Sequence, residues 1–174
     1  DRWQVLQSVT GKLIAQQNAG SLTGTNLPSG FTNYLGITSQ SAYTVGSSDY
    51  YLLTQYIEGY NIADLAWGTN GAKSVTLSFQ VYSSLTGTFG GVITNSAQNR
   101  TYPFTYTINS SNTWEKKTVV IPGDTTGTWT TSISYGIELL FIIANGTTFQ
   151  ASPGAWAAGN YHGPSGSLAN LIGT

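Results

Sequence analysis

Cysteine is absent from the chain, and so is methionine. Without thiols there is no disulfide framework, no cysteine nucleophile and no thiolate-ligated metal. Charge is almost as scarce: 7% of the residues are charged, against about 25% in an average soluble domain. Six basic and seven acidic residues leave a net charge of -1, which cannot build the phosphate-tracking patch that nucleic-acid binding needs. His162 is the only histidine, set in Tyr161-His162-Gly163 with no nucleophile motif around it. Neither a catalytic triad nor a histidine-based metal site is expected from it. The longest apolar run, Leu139 to Ala144, falls far short of the ~18 residues of a membrane-spanning helix, so no membrane insertion is expected.

What the chain has instead is hydroxyl, glycine and aromatic character. Its 174 residues include 25 Thr, 19 Ser, 21 Gly, 11 Tyr and 5 Trp. Threonine, tyrosine, valine and isoleucine pack well on a pleated surface. A surface of hydroxyl and amide groups has little net field. It suits contact with uncharged sugars, or a place inside a larger particle. The length is right for one domain, and no composition break or fixed-period repeat divides it. Residues 1–174 therefore read as a single domain. The chain opens on Asp1 with no basic-then-apolar leader, so it reads as a segment of a longer chain or a mature product.

Period-two alternation is the strongest local signal. Val75, Leu77, Phe79 and Val81 alternate with Thr76, Ser78, Gln80 and Tyr82, which predicts a half-buried strand. Tyr102, Phe104, Tyr106 and Ile108 repeat the pattern. Pro103 inside that run predicts an edge strand or a bulge, because proline donates no ladder hydrogen bond. Trp114 to Ile121 and Tyr50 to Ile57 are further strands, with Trp3 to Leu6 and Lys12 to Gln16 as weaker ones. Asn61 to Trp67 is read as one helical turn capped by Asn61. Clusters of Gly, Ser, Thr, Asn and Pro separate the runs, Ser83 to Gly91 among them, and Ala151 to Thr174 shows no strand pattern. Many short strands between such turns predict an all-β sandwich of two antiparallel sheets.

Tyr135 to Ala144 is apolar on both faces. Ile137, Leu139, Phe141 and Ile143 point one way; Leu140 and Ile142 share the other with Glu138. Such a strand is normally covered on both sides. The second cover is a loop of this chain or a neighbouring chain, which makes Leu140 and Ile142 candidate assembly residues.

The order of several short motifs resembles a known module. Asp1-Arg2-Trp3, Gly30-Phe31-Thr32-Asn33-Tyr34-Leu35-Gly36, Gln55-Tyr56-Ile57-Glu58-Gly59 and Asp64-Leu65-Ala66-Trp67-Gly68 come first. Val75-Thr76-Leu77-Ser78-Phe79, Arg100-Thr101-Tyr102-Pro103-Phe104, Asn112-Thr113-Trp114-Glu115 and Gly154-Ala155-Trp156 follow. Together they resemble a domain of tail-fibre and related appendage proteins of tailed phages, itself similar to jelly-roll carbohydrate-binding modules. The resemblance implies a jelly-roll β-sandwich at a virion surface or outside the cell. It implies other virion proteins as partners and a homo-oligomer, by analogy a trimer. The family pattern carries Trp and Arg where Gln80 and Tyr82 stand here, and runs on into one more strand beyond Leu171-Ile172. The chain is thus expected to lack its last strand.

Aromatic faces stack on the C–H faces of sugar rings while amides and hydroxyls bond sugar hydroxyls. Trp67, Trp114, Trp129, Trp156 and Tyr82 are candidates for a glycan platform, with Gln80 and Arg100 as polar partners. Large aromatics usually pack cores, but Trp129 in a Gly/Thr loop and Trp156 among Ala and Gly are expected to be the exposed pair. No carboxylate lies two residues from Glu138 to share its face as a hydrolytic pair would. The expectation is a non-enzymatic module without cofactor or metal that meets a host cell-surface glycan. A purely architectural module, or a sugar-targeting module of a secreted bacterial enzyme, is the alternative.

Overall fold

The structure, a computed structural model, describes residues 3–20, 22 and 27–172. It is all-β. The strands are β1 (Trp3–Gln7), β2 (Leu13–Gln17), β3 (Leu35–Ser39), β4 (Tyr50–Glu58), β5 (Val75–Val81) and β6 (Gly87–Asn95). They continue with β7 (Arg100–Ile108), β8 (Glu115–Ile121), β9 (Tyr135–Asn145) and three two-residue strands, β10 (Gln150–Ala151), β11 (Ala157–Ala158) and β12 (Gly163–Pro164). One layer is an antiparallel sheet in the order β1-β4-β9-β6-β7-β11. The opposing layer consists of two antiparallel ribbons, β2–β3 and β5–β8.

The alternation read from the sequence sets the core. Ile93, Tyr102, Phe104, Ile137 and Leu139 point from the large sheet toward Ile121, Val75, Leu77 and Val119 of the β5–β8 ribbon. Under the β2–β3 ribbon, Leu13 and Ile37 meet Tyr51 and Ile143. Phe141 sits between the rings of Phe79, at 4.9 Å, and Phe104, at 6.2 Å. Each such aliphatic or aromatic side chain contributes about 1.5–3 kcal/mol when fully buried.

Pro103 behaves as its position in the sequence implied. It lies opposite Val92 of β6, and its carbonyl turns outward to accept a bond from the Gly154 N–H at 2.9 Å. β11 pairs β7 only at Arg100 and Thr101, so Pro103 stands where the outer edge is open and no ladder donor is missing.

Three expectations differ from the structure. The Ser83–Gly91 cluster is not all turn, because β6 begins at Gly87 and runs through the sheet centre. Its glycines are there for close approach. A Cβ on Gly91 would lie 2.2 Å from the Phe104 ring, and one on Gly90 2.4 Å from Pro164. The helical turn is a 3₁₀ segment, Gly59–Leu65, which starts earlier than Asn61 and has no side-chain cap. Ala66 closes it in a left-handed conformation.

The third difference concerns Leu140 and Ile142. They are 3% and 4% exposed within the single chain. They cluster with Leu52 and Val92 on the back of the sheet, with Leu6 and Tyr50 at the margin. The chain's own segment after β9 lies over this face: β12 packs so closely that a Cβ on Gly163 would fall 2.6 Å from Ile142 Cδ1. The second cover is therefore a loop of this chain, and these two residues are core rather than an exposed assembly surface.

Candidate functional site

Aromatic side chains gather at both ends of the β5–β8 ribbon. At the end where Val75 pairs with Ile121, three indoles meet edge to face. Trp67 and Trp129 are 4.6 Å apart at 80°, and Trp156 stands 5.4 Å from Trp67 and 5.3 Å from Trp129. Each N–H is tied to a backbone carbonyl: Trp67 to Lys73 at 2.7 Å, Trp129 to Thr126 at 3.2 Å, Trp156 to Pro122 at 2.8 Å. Trp67 and Trp129 are 6% and 7% exposed, and Trp156 is half-buried.

This corrects the expectation for Trp129 and Trp67. Neither offers a face to solvent. The polar loop around Trp129 folds inward, because the edge-to-face arrangement and the N–H bonds satisfy both the ring and its polar handle. Arg100 is also committed. Its guanidinium grips Asp124 through two bonds, Nε to Oδ2 and Nη2 to Oδ1, both 2.7 Å. Burial alone would push the Asp124 carboxyl up. The guanidinium, with the Thr126 N–H and O–H, holds it below its ordinary value. The whole group is a structural clasp between β7 and the loop after β8.

At the other end the arrangement is open. Tyr82 follows β5, Trp114 precedes β8, and their rings lie 5.4 Å apart at 52°. Tyr34, just before β3, approaches Trp114 edge-on at 6.2 Å. All three are half-buried, so each shows part of its surface. Asn112 is held by its N–H to the Ser83 carbonyl at 2.7 Å, and its side-chain oxygen accepts from the Tyr82 hydroxyl at 3.4 Å. Gln80 and Lys116 stand opposite each other on the ribbon's outer face. The Trp114 N–H is covered and finds no partner among the described residues. Its ring is thus not fastened by a hydrogen bond, unlike the three indoles of the clasp.

Gln80 and Tyr82 are therefore brought together with Trp114, whereas Arg100, Trp67, Trp129 and Trp156 form a separate group. Tyr34 and Asn112 were missed in the sequence. The signal for Asn112 was its place before Trp114 in a turn; nothing local marked Tyr34.

Beneath the open site, Glu115 accepts from the N–H groups of Asn109 and Ser110, from the Asn109 side chain and from Lys117. The Lys117 ammonium comes first among the causes that bring its carboxyl down to about 2, followed by the Ser110 N–H. A lowered carboxyl stabilises the fold above its ordinary 4.5, and that stability is lost as pH falls through about 2. Glu115→Gln should therefore flatten the acid limb of the stability profile. Urea midpoints measured across that window check it: an unchanged slope in the variant would show that Glu115 contributes nothing there.

Among the described residues no group of three or more His, Cys, Asp or Glu could hold a metal ion, and no helix is long and apolar enough to cross a membrane. Glu138, on the face it shares with Leu140 and Ile142, is 1% exposed and accepts bonds from Thr54 Oγ1 at 2.9 Å and Gln98 Nε2 at 3.1 Å.

No protein-family model matches the chain, and no curated protein matches it. Among solved structures it is similar to the enzymatically active domain of tailspike protein 4 of bacteriophage CBA120, at 12% identity and a TM-score of 0.49. The match covers 93% of this chain and 18% of that one. Because a domain described as enzymatically active is among its structural matches, the expectation that this chain is not an enzyme does not stand.

Proposed function

We propose that the chain is a β-sandwich module of a phage tail or surface appendage that holds an uncharged glycan on the Tyr34–Tyr82–Trp114 cluster. The observation that carries this reading is the contrast between the two aromatic groups. Trp67, Trp129 and Trp156 are tied down by N–H bonds, while Trp114 is partly exposed, not hydrogen-bonded and flanked by Tyr82 and the Asn112 amide. A sugar ring would stack on Trp114 or Tyr82, with Gln80 and Asn112 bonding its hydroxyls. The motif order that resembles phage appendage modules supports the setting. Contacts of this shallow kind are weak singly, and several copies in one particle would raise avidity.

The test is a titration of neutral glycans followed by tryptophan fluorescence for the wild type and by calorimetry for variants that lack the Trp114 indole. Trp114→Ala should weaken binding at least about tenfold, a loss of roughly 1.4 kcal/mol, while leaving the fold intact. Binding should change little with salt, since no charge pair carries it. A wild-type protein silent across a broad glycan array would sink the assignment.

A further inference from the structure

We propose that the segment from Asn160 to Ala169 is a strap that opens on acidification, with His162 as its latch. The strap lies against the back of the large sheet at Ile142 and Gly90, where Gly163 and Pro164 make the closest approach. β12 pairs with β10 and the Ala169 N–H bonds Thr88 O at 2.7 Å, while the residues on either side are fixed: β11 pairs with β7, the Trp156 N–H bonds Pro122 O, and Ile172 is buried under the β2–β3 ribbon. Asn160 adds a side-chain bond to Gln98, which in turn donates to Glu138. Its later part is loosely seated: a cavity of about 160 Å³ remains between Gly166, Leu168 and Ala169 on the strap and Ile142 and Ala144 on the sheet. Few bonds and incomplete packing mark a segment whose local opening is easier than global unfolding.

His162 sits where the strap meets the sheet. Its ring stacks on Phe149 at 4.3 Å and 16°, and meets Tyr50 of β4 edge-on at 5.3 Å. Its backbone N–H bonds the Phe149 carbonyl at 2.8 Å. Nδ1 is shielded and has no partner among the described residues. A neutral ring tolerates this, since a bare nitrogen lone pair is the lesser loss. A protonated ring carries N–H on both nitrogens, and the one at Nδ1 would be a buried donor without an acceptor.

The titratable groups facing His162 are Tyr50 from β4 and Glu138 from β9, with Tyr161 beside it on the strap. Burial lowers the His162 pKa, and the Glu138 charge offsets this only in part, so the net direction is downward from 6.5. A histidine held neutral in the closed form favours closure fully above 6.5. That contribution is lost as pH falls through the lower closed-state value, because the open form binds the extra proton. Opening would uncover the apolar back face to a neighbouring molecule.

The single histidine makes the test clean. The His162 ring is titrated by NMR, and hydrogen exchange over residues 160–169, corrected for intrinsic rates, is measured at about pH 7.5 and about pH 5. The ring should titrate below 6.5, and strap protection should fall at least about tenfold on acidification while β4 and β9 stay protected. His162→Phe, which keeps the stacked ring, should hold its protection at both values. The proposal fails if wild-type protection does not change, if His162→Phe loses as much as wild type, or if the ring titrates at or above 6.5. Should His162→Phe not fold, the wild-type titration decides the question by itself.

Discussion

Replacing Asp124 with alanine should destabilise the fold by about 3 kcal/mol, the lower end of the range for breaking a buried ion pair. Asp124 is 2% exposed and Arg100 18%, so the guanidinium left behind would reach water only in part. The same substitution removes two acceptor bonds, from the Thr126 N–H at 3.1 Å and its O–H at 3.0 Å, and loosens the loop that carries Trp129. Asp124→Asn should fall between the two, because the amide oxygen still accepts from Thr126 while the charge is gone. Chemical denaturation of both variants measures this. A loss under about 1 kcal/mol for the alanine variant would mean that the pair behaves as an ordinary surface contact.

Trp129→Ala should cost more, about 3–5 kcal/mol, the usual range for deleting a buried tryptophan. The ring has Trp67 at 4.6 Å and Trp156 at 5.3 Å, and its N–H anchors Thr126. Its removal leaves a void bordered by two indoles that are fastened elsewhere and cannot collapse into it. The decisive comparison is with Trp114→Ala. Trp129→Ala should lower the unfolding midpoint and leave glycan affinity per folded molecule unchanged; Trp114→Ala should do the reverse. Denaturation midpoints and titrations on the two variants separate the roles. If Trp129→Ala instead kept its stability and lost binding, the assignment of the two aromatic groups would have to be exchanged.

The same sequence features explain which parts of this picture could be read in advance. β5, β7 and β8 were legible because each alternates with period two, and β9 because its apolar run has the length of a strand covered on both faces. Pro103 was legible because its missing donor restricts where it can stand. β6 was hidden: its glycines look like turn chemistry, and only the Phe104 ring and Pro164 pressing on Gly91 and Gly90 show why no side chain fits. Leu140 and Ile142 were legible as needing a cover, but not which cover. Trp129 misled for a related reason. Its neighbours Gly127, Thr128 and Thr130 are those of a surface loop, yet the loop turns its tryptophan inward to meet two others from residues far along the chain.

By itself the sequence determined the fold class, the near absence of charge and the aromatic stock from which a site could be made. These follow from composition and from spacing along the chain, which need no knowledge of what lies across the sheet. Tertiary structure alone decided which aromatics became core and which kept a face to solvent. It also decided that the last part of the chain covers the back of the sheet. The reason is physical: exposure belongs to a residue's neighbours in space, and for Trp114, Tyr82 and Tyr34 those neighbours come from three separate stretches of chain.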